Sequence, residues 1–335
     1  MHIVYIATDS YLQLLGISML SLLEHSDDLE SLHLRILSPD LSPQSRQTLE
    51  EIAGRYRVFP ILQAGHDSRT LSFVDISDYE THFSFSFSTS GFHPIVLARL
   101  LIDRYLPEDV RSVLYLDCDV IIHGSIKGLE NLPLARYAFA AVPELSMPAA
   151  QKAAIGLQKT DTYYNAGVVF LNLDYWRTHR LADSCIAYYR ESGGSLLYND
   201  QDILNHCCKG HVLRLSHRYN LSPALAYFPR WFIKSYQPLY YCKKTTYNRI
   251  LRHPSIIHYL GDERPWMKGN YNPYRSVYEQ YKALSPWKDQ PMTPGRERFL
   301  FCYHILNLIT RICPWFRKYF TMLIGIRYYQ IAGKK

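Results

Sequence analysis

Short apolar runs alternate with amphipathic stretches at the start of the chain. Residues 2–7 form an apolar run typical of a buried strand, and from about Ser10 apolar residues recur at helical spacing. A second strand is predicted at 33–37, a helix at 44–56 and a third strand at 58–62. This order of elements predicts an open, mostly parallel sheet flanked by helices, which places the chain in the α/β class.

Further strands are predicted at 112–116, 138–142 and 168–171, and a helix at 94–104 precedes the first of them. Residues 82–88 alternate phenylalanine with serine. That alternation fits a strand with one aromatic face, but the serine density also fits a loop over a site. Both interpretations stay open at this point.

A basic tail at 296–335 follows a polar, proline-rich linker at 285–295, and the main domain is therefore predicted at 1–284. From Gly295 onward there are eight basic residues and one acidic residue, whereas residues 1–294 contain 29 of each. The net charge of +7 thus belongs to the tail. This distribution argues against a nucleic-acid-binding protein and for one local attraction to an anionic surface.

The tail also mixes aromatic and aliphatic residues with its basic ones. Arg311, Pro314 and Arg317 interrupt the apolar runs before any becomes long enough to span a bilayer. This composition predicts a short helical segment that lies in the interface of an anionic membrane. A helical subdomain packed on the main domain, or a dimer contact, would have a similar composition, and these alternatives stay open.

The overall composition is that of a globular protein, with 47% hydrophobic and 20% charged residues. The 28 tyrosines and five tryptophans supply many side chains suited to covering sugar faces, nucleobases or a lipid interface. Seven cysteines, an odd number without a CxxC pair, argue against a disulfide framework and against a structural zinc site. The N-terminus lacks the pattern of a secretory signal, so the cytoplasm is the expected compartment.

Two carboxylates follow the predicted strand 112–116. In open α/β sheets ligands bind at the carboxyl ends of strands, and residues i and i+2 of an extended segment point the same way. Asp117 and Asp119 can therefore share one target. A divalent cation relieves their mutual repulsion and also neutralises a diphosphate leaving group. An acidic turn after a strand is the alternative interpretation of the pair.

Six short segments add to this pattern: IVYIATDSY at 3–11, LARL at 97–100, LYLDCD at 114–119, YNAGV at 164–168, NDQDILN at 199–205, and HYLG at 258–261 with PW at 265–266. In this order they resemble glycosyltransferase family 8, whose retaining enzymes include bacterial lipopolysaccharide galactosyl- and glucosyltransferases and glycogenin. The resemblance covers about residues 1–270. It implies a GT-A fold with a Rossmann-like nucleotide-binding half and the transfer of a hexose from a UDP-sugar.

The resemblance implies that the end of the first strand holds the uridine of the donor. Tyr11 would lie against the uracil face, while Ala7, Thr8 and Asp9 would bond to its edge. The sequence departs from close bacterial relatives here, because they carry an acid at the position of Thr8 and an asparagine two residues later. Cys118, the middle residue of the acidic triplet, is also expected to contact the donor.

The metal and phosphate contacts are likewise implied by the resemblance. His258 would be the third protein ligand, beside Asp117 and Asp119, of Mn²⁺ or Mg²⁺. Without the resemblance, His258 would be interpreted as a hydrogen-bonded core residue. Gly261 would let the backbone approach the phosphates, and Arg264 would bind them where relatives carry a lysine.

On the sugar side, the resemblance implies that Asp200 accepts hydrogen bonds from the hexose and that Gln201 lies beside the anomeric carbon. An amide is a weak nucleophile, so we expect a same-face displacement rather than a covalent intermediate. The C1–O bond would break first, and the acceptor hydroxyl would enter on the side of the leaving group. Further donor contacts are expected from Arg99, Glu144, Asn165, Ala166 and Gly167.

The sequence thus predicts a hexosyltransferase that uses UDP-galactose or UDP-glucose. A saccharide or lipid-linked saccharide of the bacterial envelope, in lipopolysaccharide or capsule, is the expected acceptor, at the inner face of the cytoplasmic membrane. A catalytically inactive UDP-sugar-binding membrane scaffold and a nucleotidyltransferase are the alternatives. A nucleotidyltransferase would be expected to carry a basic, glycine-rich loop after the first strand, and this chain has none at that position. Donor binding is expected to survive removal of residues 296–335.

Overall fold

The structure is a computed structural model, and it describes residues 1–60, 68–145, 147–236 and 242–320. The chain forms two compact units, of which the first contains Met1–Cys118 with Ser125–Leu215 and the second contains Asp119–Gly124 with Ser216–Lys335. The end of the third predicted strand, at 61–62, and the tail from residue 321 lie outside the described residues.

Ten strands occur in the described part of the chain: β1 His2–Ile6, β2 Leu32–Ser38, β3 Phe59–Pro60, β4 Arg69–Asp75, β5 Ser112–Leu116, β6 Val120–Ile122, β7 Phe139–Pro143, β8 Tyr164–Asn172, β9 Val212–Arg214 and β10 Ile256–His258. Eight of them form the sheet of the first unit, in the order β3-β4-β2-β1-β5-β8-β7-β9. The neighbouring strands β3, β4, β2, β1 and β5 are all parallel. β8 is antiparallel to both β5 and β7, and β9 is parallel to β7. The predicted mostly parallel sheet is confirmed.

The helices of the described residues are α1 Leu12–Glu24, α2 Pro43–Gly54, α3 Ile102–Tyr105, α4 Ala149–Ala154, α5 Leu173–Thr178, α6 Leu181–Glu191, α7 Asn199–Cys207, α8 Arg230–Tyr236, α9 Lys244–Arg252, α10 Arg275–Leu284, α11 Glu297–Ile312 and α12 Pro314–Phe320. The start of α2 follows from its sequence, because Ser42 caps it by accepting a hydrogen bond from the Ser45 N–H and Pro43 supplies a pre-set backbone angle. None of the described helices is both long enough and apolar enough to cross a bilayer.

The core of the first unit lies on both faces of the sheet. Ile3, Val4 and Tyr5 of β1 are fully buried, as expected for a central strand covered by helices on both sides. Trp176 of α5 is fully buried, and its indole N–H donates to the Ala138 carbonyl at 3.0 Å. The predicted site residues follow the carboxyl ends of β1 and β5.

The structure adds detail to the sequence predictions for two segments. The predicted helix at 94–104 is a 3-10 helix over Pro94–Leu101 followed by the short α3. Residues 83–88 form a loop whose phenylalanines pack around Tyr189, with a single bridge from Ser88 to Ser195. The segment is therefore a loop and not a strand, and its position over a site stays a prediction.

The second unit has its own small sheet. β6 and β10 pair antiparallel, with His258 opposite Val120 and Ile257 opposite Ile121. The helices α8 to α12 belong to this unit. Because β6 follows the acidic triplet directly, its pairing with β10 brings His258 next to Asp119.

Candidate active site

Asp117 directly follows β5, and its backbone N–H donates to the Gly167 carbonyl of β8 at 2.8 Å. Arg99, at the end of the 3-10 helix, approaches the same strand ends and is only 5% exposed. Its guanidinium forms ion pairs with Asp117 at 2.5 Å and with Asp200 at 2.7 Å. It also donates to the Ala166 carbonyl at 2.7 Å, so one buried cation joins three predicted site segments.

Tyr115 completes the surroundings of this guanidinium. Its hydroxyl accepts from Arg99 at 2.8 Å and donates to Asp117 at 2.6 Å, and its ring lies under the cation. Burial lowers the pKa of Arg99, but Asp117 and Asp200 raise it by more, so the side chain remains charged. Burial raises the pKa of Asp200 to about 6, although Arg99 opposes the shift. The pKa of Asp200 therefore lies above that of an ordinary aspartate.

The amide of Gln201 is oriented by two hydrogen bonds. Its oxygen accepts from the Ala166 N–H at 2.9 Å, and its nitrogen donates to the hydroxyl of Tyr163 at 3.3 Å. That hydroxyl donates in turn to the fully buried carboxylate of Asp202 at 2.6 Å. Asp202 also accepts from the Tyr198 N–H and from Gln151. A buried carboxylate thus sets the direction of the Gln201 amide through one tyrosine.

Glu144 and Asn165 form a second linked pair. The side-chain nitrogen of Asn165 donates to Glu144 at 3.0 Å, and its oxygen accepts from the Gly167 N–H at 2.9 Å. The backbone N–H of Glu144 donates to the Tyr163 carbonyl at 2.8 Å. The structure therefore brings the end of β7 and the start of β8 together, where the sequence predicts contacts with the hexose.

In the second unit, Asp119 and His258 lie side by side. The His258 Nε2 atom is 3.1 Å from a carboxylate oxygen of Asp119, and its Nδ1 atom is 3.0 Å from the side-chain oxygen of Asn220. The bond to Asn220 requires the hydrogen on Nδ1, so Nε2 directs a lone pair toward a carboxylate. That arrangement is favourable only with a proton or a cation between the two atoms. The donor set therefore fits a divalent metal ion.

The acidic triplet joins this pair to Asp117, because only Cys118 separates the two aspartates. One ligand atom each from Asp117, Asp119 and His258 lies within 4.8 Å of the other two. Arg264 lies 3.5 Å from Asp119 and donates to the Gly261 carbonyl at 3.1 Å. Burial raises the pKa of Asp119, but its contacts with His258 and Arg264 lower it by more, so the carboxylate is ionised at neutral pH.

The end of β1 holds the residues predicted to contact uridine. The Ala7 N–H donates to the Leu37 carbonyl at 3.1 Å, and the Thr8 hydroxyl lies 2.7 Å from that of Ser10. Asp9 accepts from the N–H and hydroxyl of Ser42, both at 3.1 Å, so it ties this loop to the start of α2. Hydrogen bonding from Ser45, and then from Ser42, lowers the pKa of Asp9. Tyr11, predicted to lie against the uracil, is 38% exposed.

Cys118 and Gly261 are two further predicted site residues. The Cys118 thiol lies 3.6 Å from the Ile6 carbonyl, which places it beside β1. Gly261 has φ of +85°, a conformation that favours glycine and lets the chain turn directly after β10. Direct contacts of all these residues with a donor stay predictions.

Sequence reasoning missed Asn220, Tyr163, Tyr115 and Asp202. Tyr163 directly precedes one recognised segment and Asp202 lies inside another, so their position in the sequence was an available signal. Tyr115 lies inside one such segment, but a tyrosine in an apolar strand is normally interpreted as core. Asn220 carries no signal, because its partner His258 is 38 residues away and only the fold joins them.

Comparison with known proteins identifies the chain. The sequence model described as Glycosyl transferase family 8 matches residues 2–269, and the chain belongs to this family. The protein is therefore a glycosyltransferase. It is 28% identical to General stress protein A of Bacillus subtilis, over 86% of this chain and 94% of that protein. It is 30% identical to a lipopolysaccharide 1,2-glucosyltransferase of Escherichia coli, over 66% of this chain and 67% of that protein.

Solved structures agree on the fold. The galactosyltransferase LgtC, in complex with donor and acceptor sugar analogs, superposes with a TM-score of 0.67 at 23% identity, over 85% of this chain and 96% of that one. The glycosyltransferase GlyE of Streptococcus pneumoniae superposes with a TM-score of 0.56 at 21% identity, over 85% and 60% of the two chains. The predicted GT-A type of fold is confirmed.

Proposed function

We propose that this glycosyltransferase moves a hexose from UDP-galactose or UDP-glucose to a saccharide acceptor of the bacterial envelope, with retention of anomeric configuration. The observation that carries the proposal is the opposed pair of His258 Nε2 and Asp119, held next to Asp117. Similarity to lipopolysaccharide glucosyl- and galactosyltransferases of Escherichia coli and Salmonella typhimurium supports a lipopolysaccharide or related capsular acceptor.

Mn²⁺, or Mg²⁺ in its place, is the proposed cofactor, with Asp117, Asp119 and His258 as its protein ligands. Such an ion supplies positive charge beside the diphosphate leaving group. Arg264 adds a second positive charge, because its guanidinium already lies against Asp119. Gly261 leaves the backbone after β10 open to a close approach by phosphate oxygens.

The sugar side supports a displacement without an enzyme nucleophile. The Gln201 oxygen, which alone on that amide has nucleophilic character, already accepts a hydrogen bond from the Ala166 N–H. Asp200 is paired with Arg99 and is held away from a free attacking role. We therefore assign both residues to positioning of the hexose, with the acceptor hydroxyl entering on the face of the leaving group. A β-phosphate oxygen would take the hydroxyl proton.

The remaining donor contacts follow the sequence prediction. The uracil would stack on the exposed ring of Tyr11, and its edge would meet the backbone of Ala7 and Thr8. Asp9 already accepts two hydrogen bonds from Ser42, so it orients this loop and contacts the base through its second oxygen. Cys118 would face the donor beside β1, and the hexose hydroxyls would bond to Glu144, Asn165, Ala166, Gly167 and Asp200.

We further propose that the C-terminal helices rest on the inner face of the cytoplasmic membrane. α11 exposes Phe301 and Ile312, which are 54% and 87% exposed, and α12 exposes Trp315. The basic residues that neighbour these side chains in the sequence would supply positive charge toward anionic lipid headgroups. In this proposal residues 1–284 form the catalytic domain, 285–295 the linker and 296–335 the membrane-associating tail.

A donor screen tests the activity directly. UDP release is measured with UDP-galactose or UDP-glucose, with and without Mn²⁺ or Mg²⁺, in the presence of an envelope saccharide extract. Asp119→Asn should abolish metal-dependent release, whereas Asp183→Asn, an exposed acid on α6, should leave it unchanged. Full metal-dependent activity of Asp119→Asn would show that the metal site is assigned to the wrong residues.

The same assay separates the alternative classes. A nucleotidyltransferase would release pyrophosphate rather than UDP. An inactive scaffold would bind UDP-sugar without releasing UDP when acceptor is present. Gln201→Ala should lower turnover by more than it weakens donor binding, and unchanged turnover would remove Gln201 from the reaction.

A further inference from the structure

The segment from Gly261 to Arg264 follows β10 and carries both residues assigned to the diphosphate. Its two central residues, Asp262 and Glu263, are acidic and are held by the C-terminal helical segment. Arg296 donates to Asp262 at 3.1 Å, and Asn307 of α11 donates to Glu263 at 2.9 Å. All of these residues belong to the second unit. We call residues 261–264 the phosphate loop.

Burial shows that these contacts are built into the packing. Asn307 is 1% exposed and Glu263 is 5% exposed, while Ile312 on the same helix is 87% exposed. A helix that buries an asparagine and exposes an isoleucine is not packed by hydrophobicity alone. A buried amide and carboxylate are tolerated only when they bond to each other, so the pair sets one particular position of the helix against the loop.

Further contacts also attach α11 to the phosphate loop. The ring of His304 stacks on Tyr271 with centroids 4.0 Å apart, and the Tyr271 N–H donates to Glu263 at 2.8 Å. Arg317 of α12 donates to the side-chain oxygen of Asn307 and to the hydroxyl of Tyr303. The buried amide therefore has partners on both sides. The family match ends at residue 269, so α11 lies outside the matched residues.

We infer that α11 is a positioning element of the donor site: through Asn307 and Glu263 it holds the phosphate loop, and with it the Arg264 guanidinium beside Asp119. The inference rests on the proposed function, because the diphosphate role of Arg264 belongs to it. It replaces the expectation that donor binding is independent of residues 296–335. Asn307 acts through the loop and is a positioning residue, not a catalytic one.

The test replaces Asn307 with leucine in the full-length protein. Binding of UDP in the presence of Mn²⁺ is measured by calorimetry, and KM for the donor is compared with kcat. We expect UDP affinity to fall at least about threefold and KM to rise by more than kcat falls. Thr310→Val is the matched control, because Thr310 is equally buried in α11 but donates only within the helix, to the Leu306 carbonyl.

The outcomes are distinct. Wild-type UDP affinity in Asn307→Leu, or an equal loss in Thr310→Val at similar thermal stability, overturns the positioning role and leaves the proposed function intact. Failure of the wild-type protein to bind UDP overturns both. If Asn307→Leu does not fold, Arg296→Ala tests the attachment at Asp262, since the Arg296 side chain is 35% exposed and its truncation leaves no buried cavity. Unchanged UDP affinity in that variant would equally refute the inference.

Discussion

Replacement of Arg99 by methionine should destabilise the first unit strongly and in a pH-dependent way. The guanidinium is 5% exposed and pairs with Asp117 at 2.5 Å and Asp200 at 2.7 Å. Removal of one partner from a buried ionic group costs about 3–5 kcal/mol, because the remaining charges lose compensation. For a unit of this size, that cost lowers Tm by roughly 6–20 °C.

The pH dependence follows from Asp200, whose pKa burial raises to about 6 from its ordinary value of 3.8. A carboxyl whose folded pKa lies above its unfolded value favours folding when it is protonated. Its contribution to stability therefore improves as pH falls through 6. Arg99 lowers this pKa, so it should rise further in Arg99→Met. The variant should lose more stability at pH 8 than at pH 5.

Urea unfolding followed by circular dichroism at the two pH values measures both effects. Arg104→Met is the matched control, because Arg104 pairs with Asp183 at 2.6 Å but the two side chains are 30% and 46% exposed. That exposed pair should contribute at most about 1 kcal/mol. Similar losses in the two variants, or a loss in Arg99→Met that does not depend on pH, would refute the reasoning.

Three further predictions concern single contacts. Asn220→Leu removes the acceptor of the His258 Nδ1–H and should weaken Mn²⁺ binding about 10- to 100-fold in an electron paramagnetic resonance titration; wild-type affinity would contradict the metal orientation. Tyr163→Phe removes the hydroxyl between Asp202 and Gln201, so the free energy of unfolding should fall by about 1.5–3 kcal/mol and kcat should drop while KM changes little. Ile312→Asp should reduce sedimentation with anionic vesicles without altering UDP affinity, and unchanged sedimentation would argue against lipid contact by α11.

Much of the fold is already determined by local sequence patterns. The apolar run of β1, the Ser42-Pro43 start of α2 and the acids that follow β5 are each encoded within a few neighbouring residues. Periodicity and capping act over such distances, which is why the α/β class and the acidic pair could be predicted from the chain alone. The phenylalanine–serine alternation at 82–88 did not decide between strand and loop, since its packing around Tyr189 involves residues a hundred positions away.

The tertiary structure alone decided how the site residues are held. Arg99 bonds to Asp200, which is 101 residues away in the sequence, and His258 bonds to Asn220, which is 38 residues away. Asn307 bonds to Glu263, which is 44 residues away in the sequence. The composition of the Asn307 helix indicates only that it is basic and apolar. A side chain's hydrogen-bond partner depends on which segments the sheet and helices bring together, and no local periodicity records that choice. The sequence therefore determined which chemical groups are present at the strand ends, and the folded chain determined which of them orient the others.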